Sequence, residues 1–310
     1  MLELQQVTKR FGERTIIEGA SLVCGHGVTG LIAPNGAGKT TLIKMLATLQ
    51  TPSEGHILLD GEDIYGLGEA YRAHVGYLPQ QVGVYPSYTP RRFLRYVAAL
   101  QRVPRRVADP RIGELLDLVG LAEVADTRMR TFSGGMIQRV GIAQALIADP
   151  DILLFDEPTA GLDPRERVRF RSIIHGLAAT RTVILSTHIV SDVETIAGQI
   201  VLIRNGRVKA YQRASELTAP LVGCILEVPL DAPELPGELR LGEREGTAGP
   251  VRRVALPQAI AAGELPAGAV ASAPTLEDAF LVLYRDAHVD GVDASGPRRG
   301  APWRNWRGFR

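Results

Sequence analysis

The feature that most constrains this chain is one short succession. An apolar run, Val28–Ile32, enters a loop of small residues, Ala33-Pro34-Asn35-Gly36-Ala37-Gly38, which leads straight into Lys39-Thr40-Thr41. The run has the length and greasiness of a strand buried on both faces. From Lys39 to about Leu49 the apolar residues recur at helical spacing, with Leu42, Leu46 and Leu49 on one face and Met45 beside them. Strand, tight loop and helix in that order predict an α/β fold rather than a bundle or a sandwich.

A loop of this kind lets consecutive backbone N–H groups converge on an anion while the helix behind presents its positive end. Asn35, Gly36, Ala37, Gly38, Lys39, Thr40 and Thr41 fit a phosphate cradle, with Lys39 bridging the β and γ phosphates of a nucleotide and the Thr40 hydroxyl on Mg²⁺. Ala33 stands where the usual pattern has glycine. A methyl group there is harmless at negative φ and strained at positive φ.

A second carboxylate site ends the run Ile152-Leu153-Leu154-Phe155-Asp156-Glu157. Four apolar residues bury a strand, so Asp156 should emerge at its carboxyl end, where open α/β sheets hold ligands. Asp156 is a metal candidate, and Glu157 is placed to orient or deprotonate a water attacking the γ-phosphate. A glutamine at 157 would instead point to a module that only holds nucleotide. His188 follows the strand-like Thr182–Ser186 and is expected in the same row of strand ends, as a γ-phosphate contact. Gln80 closes Val75–Pro79; its amide oxygen can ligate Mg²⁺ and release it when neighbouring helices move. Phe11 precedes a turn and offers either a ring for adenine stacking or an ordinary core residue.

Strand and helix signals alternate through most of the first 217 residues, predicting a mainly parallel sheet with an antiparallel β part at the N-terminus. Residues 87–135 instead read as helices separated by breaks at Pro104, Pro110 and Gly120. Arg91, Arg92, Arg95, Arg102, Arg105, Arg106 and Arg111 crowd the first half of that region, as a solvated face or as a docking surface. Residues 218–286 read as a small α+β appendage. Residues 287–310 read as a flexible tail in which Arg298, Arg299, Arg304, Arg307 and Arg310 alternate with Trp303, Trp306 and Phe309, either disordered or lying at a lipid surface.

Composition excludes little but points one way. A net charge of +1 gives no global attraction to nucleic acid, and none is expected as partner. Cys24 and Cys224 suit a reducing compartment. No secretory signal and no apolar run long enough to span a bilayer is apparent, so membrane contact is expected through a partner.

Taken together, these residues resemble the ATP-binding subunit of ABC transporters over about 1–217. Phe11 matches the adenine-stacking aromatic, Ala33–Thr40 the Walker A loop, Gln80 the Q-loop and Phe132-Ser133-Gly134-Gly135-Met136 the signature. Ile152–Glu157 matches Walker B, Gly161-Leu162-Asp163 the D-loop and His188 the H-loop. Departures are Ala33, Phe132 for leucine and Met136 for glutamine. The last of these, with an extension ending in Leu276-Glu277-Asp278-Ala279-Phe280, is similar to exporters of the ABC-2 type.

The resemblance implies a head-to-tail dimer, with an identical or related chain, in which Ser133, Gly134 and Gly135 approach a nucleotide held by the other chain's Lys39. Asp163 would cross the interface. It further implies ATP and Mg²⁺ as cofactors, a separate transmembrane permease as partner, and a peripheral location at the cytoplasmic face of the cell membrane. The implied work is ATP-driven export of a lipid, polysaccharide, drug or other hydrophobic compound. A soluble ATPase of this type acting on ribosomes or nucleic acid, and a non-hydrolysing ATP-binding regulator, are the alternatives. Lys39 and Asp156 lie only 117 positions apart, without a heptad run between them, which argues against the long coiled-coil insertion of DNA-repair forms.

Overall fold

The computed structural model describes residues 1–246, 249–260 and 265–285. The tail anticipated at 287–310 lies outside them. The chain divides into two compact units, Met1–Ala210 and a second beginning at Tyr211, whereas the sequence pattern alone suggests a boundary at 217/218.

The first unit begins with a long hairpin, β1 (Leu2–Phe11) and β2 (Arg14–Cys24). It continues through β3 (Gly27–Ile32), α1 (Lys39–Leu46), β4 (Glu54–Leu59), β5 (Glu62–Asp63), the short helices α2 (Ile64–Leu67) and α3 (Glu69–Ala73), and β6 (Val75–Leu78). Helices α4 (Pro90–Leu100), α5 (Arg105–Leu118) and α6 (Gly134–Ala145) follow. The unit closes with β7 (Ile152–Asp156), α7 (Pro164–Ala178), β8 (Thr182–Thr187), α8 (Val190–Glu194), β9 (Gln199–Arg204) and β10 (Arg207–Tyr211), whose last residue falls at the boundary.

Two sheets result. One is antiparallel, in the order β2-β1-β4-β5; the other is six-stranded, in the order β10-β9-β3-β8-β7-β6. In the larger sheet, β3 pairs in parallel with β8 and β9, and β7 with β8 and β6. Every residue of β7 and β8 is buried, as strands covered on both faces require.

Two expectations are corrected here. Helix α1 ends at Leu46, because Thr48 turns to φ 55°, and Leu49 is left 59% exposed rather than on the buried face. Pro110 does not break a helix but lies inside α5. The carbonyl it leaves without an N–H partner belongs to Arg106, on the exposed side of the helix, where water can take it.

The arginine-rich helical region is largely ion-paired within the chain. Arg91 meets Asp126, Arg95 and Arg105 share Asp109, Arg102 meets Glu69 and Arg111 meets Asp149. The Arg92 guanidinium lies 4.1 Å from the centroid of the Tyr88 ring.

The second unit contains α9 (Ala214–Thr218), β11 (Ile225–Pro229), β12 (Leu239–Gly246), β13 (Gly249–Ala255), β14 (Val270–Ala271) and α10 (Leu276–Leu283). Its antiparallel sheet has the order β12-β13-β11-β14, with Leu226, Val228, Val254 and Leu256 as core. Arg252 is fully buried, and its guanidinium donates to the carbonyls of Pro229, Ala232 and Pro233 and to Glu238. Arg253 grips Asp278 with two 2.7 Å bonds, while Asp278 also forms a capping box with Thr275 at the start of α10.

Candidate functional site

Parallel pairing fixes where the chemistry gathers. Ile32 at the end of β3 pairs with Thr187, Asp156 at the end of β7 with Ser186, and Leu78 at the end of β6 with Phe155. The glycine loop after β3, Asp156-Glu157 after β7, His188 after β8 and Gln80 after β6 therefore leave the sheet at one edge. This is the edge where open α/β sheets bind ligands.

The loop has the backbone a phosphate cradle needs. Gly36 and Gly38 hold φ of 77° and 110°, values an L side chain adopts at a cost. A methyl group on Gly38 would also press on Ile16 Cγ2 and Ile17 Cδ1 of β2, each at 3.0 Å, whereas one on Gly36 would meet nothing. Gly38 caps α1 with no side-chain hydrogen bond, so the first-turn N–H groups of Lys39, Thr40 and Thr41 remain available to an anion. Ala33 is buried and keeps out of the positive-φ region, so its methyl group introduces no strain.

Lys39 lies within the cradle. Its ammonium donates to the Ala33 carbonyl at 2.6 Å and stands 3.0 Å from Glu157 Oε1, with both side chains only 5% exposed. The other Glu157 oxygen is 2.8 Å from His188 Nδ1. A parallel set of contacts holds Asp156, whose Oδ1 accepts from Thr40 Oγ1 at 3.0 Å and from Ser186 Oγ at 2.7 Å. Ser186 Oγ also accepts the Glu157 backbone N–H at 2.9 Å and so ties the Asp156 carboxylate to the Glu157 backbone. Glu157 itself sits at φ 49°, a sparsely populated conformation of the kind found at functional sites. The Tyr77 phenol, pushed to about 12 by burial and by the charge of Asp156, stays neutral beside this cluster.

Ser186 escaped the sequence reading. A serine at the end of an apolar strand is unremarkable until the register places it opposite Asp156.

Phe11 ends β1 at the hairpin tip. At 49% exposed it is no core residue; Lys9 Nζ lies 4.9 Å from its ring centroid. Its neighbour in the hairpin, β2, runs under Gly38, which brings the aromatic tip to the side of the loop.

The signature residues are not gathered into this cluster. Ser133 is exposed and caps α6 by accepting from the Met136 N–H at 3.2 Å. Helix α6 packs on β6, α4 and α5, whereas α1 packs on β7 and β8. A Cβ on Gly135 would lie 3.3 Å from Glu166 Cγ, so its neighbour there is the first turn of α7. Asp163 is also exposed, and its carboxylate caps α7 by accepting the Glu166 N–H at 2.9 Å.

A buried lysine in a glycine cradle, a hydroxyl touching a strand-end carboxylate, and a second carboxylate beside it define a P-loop nucleoside triphosphatase. The comparisons narrow this class. The family model for the ABC transporter matches residues 19–160. Nod factor export ATP-binding protein I of Ralstonia nicotianae is 37% identical over 234 residues, covering 74% of this chain and 72% of that protein. Its counterpart from Paraburkholderia xenovorans is 38% identical over 237 residues, covering 73% and 76%. A solved ATP-binding subunit of an ABC transporter superposes with a TM-score of 0.64 at 28% identity, over 71% of this chain and 92% of the other.

The chain belongs to the ABC transporter family as an ATP-binding subunit. It hydrolyses ATP and couples that hydrolysis to transport through a membrane permease. Among the described residues no helix is long and apolar enough to cross a membrane.

Proposed function

We propose that this subunit powers export of a lipid, polysaccharide, drug or other hydrophobic compound by a separate permease, from the cytoplasmic face of the membrane. The two Nod factor export relatives support the direction. The observation that carries the mechanism is the run of contacts Ala33–Lys39–Glu157–His188 beside Thr40–Asp156–Ser186.

The residues present fit both groups the reading requires. The uncapped helix start and the glycine loop suit a triphosphate. Hydroxyl and carboxylate oxygens suit a hard divalent cation. Thr40, Asp156 and the amide oxygen of Gln80 would hold Mg²⁺, which when bound neutralises charge on the β and γ phosphates.

Glu157 has Lys39 as its counter-ion. On ATP binding Lys39 turns to the β and γ phosphates, leaving Glu157 to hold and deprotonate the attacking water. The water oxygen bonds to the γ-phosphorus as the bond to the bridging oxygen breaks, giving ADP and phosphate. His188, hydrogen-bonded to Glu157, keeps the carboxylate aimed and contacts the γ-phosphate. Phe11 stacks on adenine.

Ser133, Gly134 and Gly135 serve a nucleotide held by a second chain, identical or related, and Asp163 reaches across the same interface. The exposure of Ser133 and Asp163, and the packing of α6 away from α1, support that arrangement. The test is transport by the complex reconstituted with its permease. Glu157→Gln should abolish it, and persistent ATP-dependent transport would defeat the proposal.

A further inference from the structure

Two buried polar side chains outside the cluster are left unexplained by this mechanism. Thr159 Oγ1 donates to Asp192 Oδ2 at 2.5 Å, and the two residues are 1% and 2% exposed. Thr159 lies two residues after Glu157, and Asp192 lies four residues after His188, in the first turn of α8. A buried carboxylate is costly to hold in a short helix unless it is hydrogen-bonded.

The segment between Glu157 and Asp163 is built from tight turns closed on themselves. Ala160 N–H donates to the Glu157 carbonyl and Leu162 N–H to the Thr159 carbonyl, with Gly161 at φ 74°. Such turns fix local shape but do not fix the segment against the rest of the fold. Thr159 supplies a tie to α8, while Arg171 of α7 donates to the Ser191 carbonyl from the other side. Glu157 at the head of the segment, at positive φ, and His188 just ahead of α8 are thereby held in one frame.

We propose that Asp192 is a positioning residue, acting through Thr159 to set Glu157 against His188 and to keep the segment ending at Asp163 in register with them. This rests on the catalytic reading of Glu157 and His188 given above. Displacement of a general base by about 1 Å is enough to cost roughly 100-fold in rate. The clasp touches neither the glycine loop nor Phe11, so nucleotide affinity is independent of it.

Steady-state ATPase of the permease-bound complex separates these effects. Thr159→Val, nearly isosteric, should lower kcat about 10- to 100-fold with KM for ATP within about twofold. Asp192→Asn, whose amide oxygen still accepts the Thr159 hydroxyl, should keep most of the wild-type rate. An unchanged kcat in Thr159→Val, or a KM that rises as kcat falls, overturns the proposal.

Amide hydrogen exchange on the nucleotide-free full chain gives a second reading that needs no turnover. Thr159→Val should speed exchange in 157–163 and 188–194 while sparing β7 and β8. Unchanged exchange in those two segments, or uniform acceleration including the strands, overturns the proposal. A wild-type complex without ATPase activity would strike at the functional reading, and the exchange experiment would still decide whether the clasp exists.

Discussion

The Lys39 ammonium and the Glu157 carboxylate form an ion pair of 3.0 Å, sealed from solvent on both sides. In the proposed mechanism each of the two acts on ATP or on the attacking water, and here each compensates the other's charge. A buried charge left without its partner is expensive, whereas losing both partners together is cheaper.

Lys39→Met should therefore destabilise the nucleotide-free chain by about 3–5 kcal/mol. Adding Glu157→Gln to it should restore much of that loss, since the stranded charge is gone. Denaturant unfolding of the two single variants and the double variant checks this; strict additivity would contradict the pairing.

Glu157→Gln alone should lower ATPase kcat by about 10²- to 10⁴-fold, the range for loss of a positioned general base. ATP should still bind, because Lys39, the loop N–H groups and Phe11 are untouched. Steady-state kinetics and equilibrium ATP binding on the same preparation report the two effects separately.

Gly38 and Ala33 should respond in opposite ways to exchange of alanine and glycine. Gly38→Ala places a methyl group at φ 110° against Ile16 and Ile17, and is expected to cost about 1–3 kcal/mol and to weaken ATP binding. Ala33→Gly, although it restores the usual loop residue, should leave ATP affinity within about twofold. It should lower stability by about 0.4–1 kcal/mol through the freer unfolded chain. Calorimetric unfolding and nucleotide titration distinguish these outcomes.

In the second unit, burial alone would raise the Asp278 pKa. Hydrogen bonds from Arg253 and from the Thr275 N–H and hydroxyl outweigh it and hold the pKa below the usual aspartate value. A depressed carboxylate stabilises the fold above its unfolded pKa. That contribution is lost as pH falls below about 4 toward the folded value. Acid unfolding of the second unit should accordingly be shallower in Asp278→Asn. That variant should also cost about 3 kcal/mol or more at pH 7, because Arg253 loses its bidentate partner. An acid transition identical in wild type and variant would contradict this.

How much of this could be read from the chain depends on whether the information was local. The glycine loop, the apolar run ending in Asp156-Glu157 and the position of His188 after a strand are contiguous patterns, and parallel pairing then brings them to one edge. The outcome at Ala33 was left open by sequence because φ is not written in composition; the backbone resolves it. Ser186 and the Thr159–Asp192 clasp were missed because each exists only through contacts between residues about 30 positions apart. Pro110 misled because a helix tolerates proline where the freed carbonyl faces water. The end of α1 was misjudged because apolar spacing ran on through Leu49 past a left-handed residue. Arg252, a polar side chain wholly inside the second unit, has its partners on a loop that no strand pattern identifies.

The most direct test is the position of Ser133 in an ATP-loaded assembly trapped by Glu157→Gln. The account predicts the Ser133 hydroxyl within hydrogen-bond reach of the γ-phosphate on a nucleotide cradled by another chain. Ser133 far from every bound nucleotide would contradict it.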